Sequence, residues 1–198
     1  MNKIFYIMGK SSSGKDTIYK KIFEIIKENN LNIKPLIIST TRPIRQGEQN
    51  GIEYYFKTKN EFEKDLLKND VLEYRVYNTV NGEWIYYTSK NSIDLESSNY
   101  LGIGTLDSYK KLKEVYKKQL IPIYINVSDD IRLMRSIKRE QFQKNPNYEE
   151  ICRRFLADSK DFSEEKLKEL NIEAKYCNNT SNIEKVIEKI MEDILKYL

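Results

Sequence analysis

The apolar positions along the chain form short runs separated by stretches of helical period. Ile4 to Met8 (IFYIM) is wholly apolar and stops at Gly9, as a strand covered on both faces does when it enters a tight turn. Beyond KSSSG, Ile18, Ile22, Phe23, Ile25 and Ile26 recur at helical spacing. They predict a helix from Lys15 to about Asn29, ended by Asn29, Asn30 and Asn32. PLIIS (35 to 39) predicts a second buried strand. From 40 to about 92 the pattern changes to charged turns, a short helix after Asn60, and two alternating runs, VLEYRVY (71 to 77) and EWIYYTS (83 to 89). Asn81-Gly82 between them predicts a hairpin, so this stretch reads as a small antiparallel excursion.

The core pattern then resumes. NYLGIG (99 to 104) predicts a strand, Asp107 to Lys118 a helix, and LIPIYINV (120 to 127) a strongly apolar strand. Strand, helix, strand at this spacing predicts an α/β fold with a parallel sheet and right-handed crossovers. Ser128 is the expected N-cap of the next helix, with Asp129 and Asp130 in its first turn. QFQKNPN (141 to 147) interrupts the helical pattern before a second basic helix starts near Tyr148, a break expected to act as a mobile flap. AKYCN (174 to 178) is the last expected strand, and a helix from about Asn182 closes the chain.

Composition narrows the chemistry. At 198 residues the chain suits one α/β core, with neither repeat nor interdomain linker. There is no histidine, which excludes Ser-His and Cys-His nucleophiles and His-ligated metals. The 34 Lys and Arg against 30 Asp and Glu leave a dispersed net charge of +4, which suits small anions and gives no support for a nucleic-acid partner. The 15 tyrosines are scattered and read as compositional bias. Two cysteines, Cys152 and Cys177, and no apolar run of leader or membrane-span length predict reduced thiols, no membrane partner and a cytoplasmic location.

Against that background one motif is sharp. Gly9, Lys10, Ser11, Ser12, Ser13, Gly14, Lys15, Asp16 and Thr17 form a G-x-x-x-x-G-K run between a buried strand and a helix. Small residues let backbone amides curl around phosphate oxygens, the helix N-terminus adds partial positive charge, and Lys15 reaches terminal phosphates. These nine residues are the candidate ATP site. The residue after the lysine is ordinarily Ser or Thr on Mg²⁺; here it is Asp16, read as the candidate Mg²⁺ ligand, with a plain helix-start acid as the alternative.

A second motif, STTRPIRQGEQNGIEYYF (39 to 56), resembles the guanylate kinase family. The paired threonines, Arg-x-x-Arg-x-Gly-Glu and Asn-Gly-acid-Tyr-x-Phe are matched by Thr40, Thr41, Arg42, Arg45, Gly47, Glu48, Asn50, Gly51, Glu53, Tyr54 and Phe56. Two arginines three apart beside a tyrosine hydroxyl suit a phosphate dianion. The resemblance spans nearly the whole chain and implies further roles. Glu73 falls where an acid accepts from guanine N1 and N2. Tyr87 and Ser89 fall near phosphate and base contacts, with Thr88 in the place of a glycine. Arg135, Arg139 and Arg154 fall where arginines close over the transferring phosphoryl group, and Asn178 or Asn179 near an adenine-side asparagine. Two departures stand out: Ile38 replaces a serine, and Gly102 and Gly104 replace an Asp-x-Asp pair, with Asp107 the nearest carboxylate.

The resemblance implies a P-loop nucleoside-monophosphate kinase fold. Its parts would be a parallel five-stranded core (1 to 39 and 93 to 198), a small α+β acceptor-binding insertion at about 40 to 92, and a helical lid at about 137 to 150. Lys15, Arg42, Arg135, Arg139 and Arg154 are the expected catalytic set, and Arg42, Arg45, Tyr54, Glu73, Tyr87 and Ser89 the expected acceptor set. The implied reaction is GMP + ATP to GDP + ADP with Mg²⁺. Kinases of deoxynucleotides or ribose 1,5-bisphosphate, and non-catalytic phospho-ligand modules, are the alternatives. Oligomeric state is left open.

Overall fold

Residues 1–79, 82–179 and 182–198 are described by a computed structural model. Strand β1 (Ile4–Met8) lies at the centre of a five-stranded parallel sheet, every side chain buried. Its neighbours are β7 (Asn99–Gly104) and β8 (Leu120–Asn126). The edges are β2 (Ile33–Pro35) and β9 (Tyr176–Cys177), in the order β2-β7-β1-β8-β9. Alternate β1 residues face opposite layers. Phe5 and Ile7 pack with Ile18, Ile22 and Ile26 of α1 (Lys15–Glu28) and with Val186, Ile187, Ile190 and Ile194 of α7 (Ile183–Leu195). Ile4, Tyr6 and Met8 pack with Leu106, Tyr109 and Leu112 of α3 (Leu106–Tyr116). Burying each such isoleucine or leucine stabilises the fold by about 1.5–3 kcal/mol over leaving it exposed. That two-sided burial is why β1 reads as an unbroken apolar run.

A second sheet is built from β3 (Ser39–Thr40), β4 (Tyr55–Phe56), β5 (Val71–Thr79) and β6 (Gly82–Ser89), in the order β4-β3-β6-β5. Helix α2 (Lys59–Leu67) starts at a Thr58–Glu61 capping box and packs Phe62 against Ile85 and Tyr87. The excursion is mixed rather than antiparallel throughout, because β3 pairs parallel with β4 and antiparallel with β6. The run 35 to 39 is likewise not one strand. Leu36 still donates to the Leu101 carbonyl at 2.8 Å, but Ser39 and Thr40 already pair in the second sheet. The turn residue Asn81 lies outside the described residues; Gly82 has φ 103, the left-handed backbone a tight hairpin favours.

Two helices follow β8: α4 (Asp129–Gln141) and α5 (Tyr148–Asp161), then the short α6 (Glu164–Glu169). The segment 137 to 150 comprises the end of α4, its connection and the first turn of α5. Ser128 occupies the N-cap position of α4, but its side chain bonds no helix amide there. Helix α3 begins one residue earlier than the pattern predicts, where Thr105 and Ser108 form a capping box. The last strand covers only Tyr176–Cys177 of the run expected at 174 to 178.

Candidate active site

The chain leaves the centre of the sheet at Gly9 and enters α1 at Lys15, turning through left-handed Ser12 (φ 61) and Gly14 (φ 85). A Cβ on Gly14 would also lie 2.6 Å from Asn178 Nδ2, so only glycine fits there. Four consecutive residues are fastened to the surrounding structure. Lys10 Nζ lies 3.3 Å from Asp129 Oδ1, and the Ser11 amide donates to Asp158 Oδ2 at 2.7 Å. Ser136 gives its proton to the Arg132 carbonyl, so Ser12 is the donor in its 2.7 Å contact with Ser136. Asn178 Nδ2 donates to the Ser13 carbonyl at 2.8 Å. Lys15 Nζ lies 3.6 Å from Asp16 Oδ2, and the Asp16 side chain is 79% exposed; Thr17 is exposed beside it. The first amides of α1 have no intrahelical acceptor and suit an anion.

Arg42, just past β3, is buried and held by Glu48 through two hydrogen bonds, of 3.0 Å and 2.7 Å. The rings of Tyr54 and Phe56 lie 5.4 Å and 5.5 Å from its guanidinium carbon. The Glu48 hydrogen bond holds Arg42 above its ordinary pKa, and the Arg42 hydrogen bond holds Glu48 below the usual carboxylate range. Burial raises the Tyr54 pKa. Arg45 is exposed, its amide donating to Glu48 Oε2 at 2.8 Å.

The β5–β6 ladder decides which side chains share the cleft face. Glu73 pairs with Thr88 and Arg75 with Tyr86, a register set by an irregularity between Val71 and Glu73. Thr88 Oγ1 donates to Glu73 Oε1 at 2.7 Å, and Tyr86 lies 5.6 Å from Tyr54. Tyr87 and Ser89, both expected in the acceptor set, therefore fall on the other face of the ladder. Tyr87 points to the opposite face, stacked edge-on to Phe62 at 5.1 Å with its hydroxyl donating to Asp65, and Ser89 donates to Asp70. Tyr86 and Thr88 stand on the face of Arg75 and Glu73 instead.

The arginines of α4 and α5 divide. Arg132, fully buried, was not legible as a site residue. It bonds Asp129 at 2.6 Å, the Phe155 carbonyl at 3.3 Å and Ser159 at 3.2 Å, and lies 3.6 Å from Asp158, tying the two helices together. Arg135 donates to the Asn178 carbonyl at 3.0 Å. Arg139 and Arg154 line a recess of about 160 Å³ with Ser11, where Glu150 accepts from Arg154 at 2.6 Å. Of the two candidate adenine-side residues, Asn178 is tied to the loop, while Asn179 accepts from the Ser128 amide.

Gly102 and Gly104 are not merely missing acids. A Cβ on Gly102 would lie 2.9 Å from Tyr6 Cδ2, and one on Gly104 would fall on the Tyr6 hydroxyl. The phenol of β1 fills the space that side chains of β7 would need. Burial pushes the Tyr6 pKa up to about 12, so the hydroxyl remains protonated and donates to Ser108 Oγ at 2.7 Å. The main cleft, about 690 Å³, runs from Gly9, Ser11 and Lys15 past Arg75 and Gly104 to Asp158.

The guanylate kinase family model matches residues 1–194. The chain belongs to the guanylate kinase family. It is 30% identical to a guanylate kinase of Mycoplasmoides gallisepticum over 98% of this chain and 92% of that protein. It is 28% identical to one of Fusobacterium nucleatum over 100% and 96%. The guanylate kinase structure from Anaplasma phagocytophilum superposes with a TM-score of 0.66 at 19% identity, covering 99% of this chain and 85% of that one, which shows a common fold. Family membership makes the chain a phosphotransferase of nucleoside monophosphates. Among the described residues no helix is long and apolar enough to cross a membrane.

The family also implies Mg²⁺. Among the described residues no cluster of three or more His, Cys, Asp or Glu could hold a metal unaided. Mg²⁺ carried by a nucleotide needs only one or two protein carboxylates beside phosphate and water oxygens. Asp16, exposed at the start of α1 next to Lys15, meets that requirement, so the residues present fit an ion brought in by the nucleotide.

Proposed function

We propose that the protein transfers the γ-phosphoryl group of ATP to GMP, giving ADP and GDP. The observation that carries this reading is the buried, Glu48-braced Arg42 beside Tyr54, in a chain that also carries an intact phosphate loop. Phosphoryl transfer asks little covalent chemistry of the protein; it needs two substrates in line and their charge neutralised, so the absence of histidine is no obstacle. Lys15 and the first amides of α1 would hold the donor's β and γ phosphates. Arg42, Arg45 and Tyr54, with Tyr86, would hold the acceptor phosphate as a dianion. Arg139 and Arg154, reaching the recess at Ser11, would offset charge as the phosphoryl group moves. Asp16 would hold Mg²⁺, which when bound neutralises donor phosphate charge.

Arg75 lines the cleft, braced by the buried Glu73, whose Oε1 accepts from Thr88. To such a donor guanine offers two neighbouring acceptors, O6 and N7, where adenine sets an amino donor beside N7. A coupled assay of ADP release over GMP, AMP, CMP, UMP and ribose 1,5-bisphosphate tests the reading. GMP is expected to give the highest kcat/KM; turnover with the sugar phosphate alone would overturn it.

A further inference from the structure

Glu73, the acid expected to read the base, is covered in this structure. Its side chain is 0% exposed and that of Arg75, two residues on along the same face of β5, is 11% exposed. Arg75 Nε lies 3.2 Å from Glu73 Oε2 as an ion pair without an aligned hydrogen bond, while one terminal nitrogen donates to Oε1 at 3.4 Å. Thr88 occupies Oε1 from the other side at 2.7 Å. No surface of the carboxylate remains for a base edge.

The guanidinium, in contrast, lines the cleft together with Lys15, Gly104 and Thr105. Of its five N–H groups, one terminal N–H donates to Glu73, another meets Thr105 Oγ1 at 3.4 Å, and the buried Nε–H lies beside Glu73 without an aligned bond. Two remain, one on each terminal nitrogen, and a guanidinium with donors left on both can meet two neighbouring acceptors. Guanine offers such a pair in O6 and N7; adenine places an amino donor where O6 would be. The replacement of side chains at Gly102 and Gly104 by the Tyr6 phenol removes from β7 any carboxylate that could accept from N1 and N2.

We propose that Arg75, braced by Glu73, is the group that reads the acceptor base, selecting a 6-oxopurine through O6 and N7 and leaving the 2-amino group unread. This rests on the acceptor reading above and deepens it. Glu73 is then a positioning residue, orienting the guanidinium through the buried pair.

Inosine monophosphate, which is GMP without the 2-amino group, separates the two modes in the unaltered protein. With Arg75 as reader, kcat/KM for inosine monophosphate falls within about fivefold of that for GMP, while AMP is at least tenfold worse, the scale of one lost bidentate pair. Arg75→Lys keeps the charge beside Glu73 but not the fork. It should raise KM for both 6-oxopurine nucleotides tenfold or more, with KM for ATP and the melting temperature nearly unchanged. A wild-type preference for GMP over inosine monophosphate above about twentyfold, abolished by Glu73→Gln, would overturn the proposal and restore direct reading by Glu73 while the GMP kinase assignment stands. Turnover of neither 6-oxopurine would overturn both.

Discussion

The Tyr6 hydroxyl occupies the position that a Cβ on Gly104 would need, and it donates from there to Ser108 Oγ at 2.7 Å. A phenol from β1 and the two glycines of β7 are one packing arrangement, because Tyr6 pairs in register with Gly102. Gly104→Ala should therefore destabilise the protein by about 1–3 kcal/mol, the usual cost of overpacking a filled core. Tyr6→Phe removes the atom nearest the new methyl group and should recover part of that loss. Urea denaturation of both single variants and the double variant reads the coupling; strict additivity would refute the contact.

Lys15 is the cation at the head of α1, and Lys10 is engaged with Asp129. Lys15→Ala is expected to lower kcat by about two to three orders of magnitude, the scale of removing one preorganised donor from developing charge. The melting temperature should hold, since among the described residues the one acid paired with Lys15 is the largely exposed Asp16. Steady-state kinetics beside a thermal melt provide the check, and unchanged turnover would remove the loop from the mechanism.

Asp16→Asn tests the metal assignment through binding rather than turnover. Calorimetric titration with ATP should give nearly the same affinity for variant and wild type without Mg²⁺. With Mg²⁺ present the wild type should gain affinity and the variant less. An equal gain in both would make Asp16 a helix-start acid and nothing more.

Hydrogen bonds from Arg153, and then Arg154, hold the Glu150 carboxyl down at about 2 from its usual 4.5. A depressed folded-state pKa adds stability that is present above the unfolded value and is lost as pH falls from about 4.5 toward 2. The pairs sit at the start of α5 and are partly exposed, so their contribution is modest and salt-sensitive. Acidification from pH 5 to pH 3 should lower the melting temperature less in Glu150→Gln than in the wild type. Equal drops would show that the pairs add nothing.

The strand-loop-helix at 4 to 28 was legible because spacing and composition agree at every level, from apolar β1 to the periodic face of α1. The same holds for NYLGIG, whose strand bounds coincide with the sequence pattern. IYYTS was legible as a strand but not in its facing. Two adjacent tyrosines fit the family pattern in either register, and only the irregularity between Val71 and Glu73 fixes Tyr86 and Thr88 on the face of Arg75 and Glu73. The spacing of Glu73 and Arg75 already carried the signal for their pair, since strand residues two apart share a face. Arg132 and Asp158 carried none: a buried guanidinium bridging two helices and a carboxylate on a loop amide depend on packing between segments distant in sequence.

The four fastenings of the phosphate loop reach into α4, α5 and the end of β9. A loop so anchored has already surrendered its conformational freedom during folding, so an arriving nucleotide spends little of its binding energy on ordering it. The same anchors have a mechanical side. Because Asp129 and Ser136 sit on α4 and Asp158 on α5, neither helix can swing over the cleft without either breaking a bond to the loop or carrying the loop along.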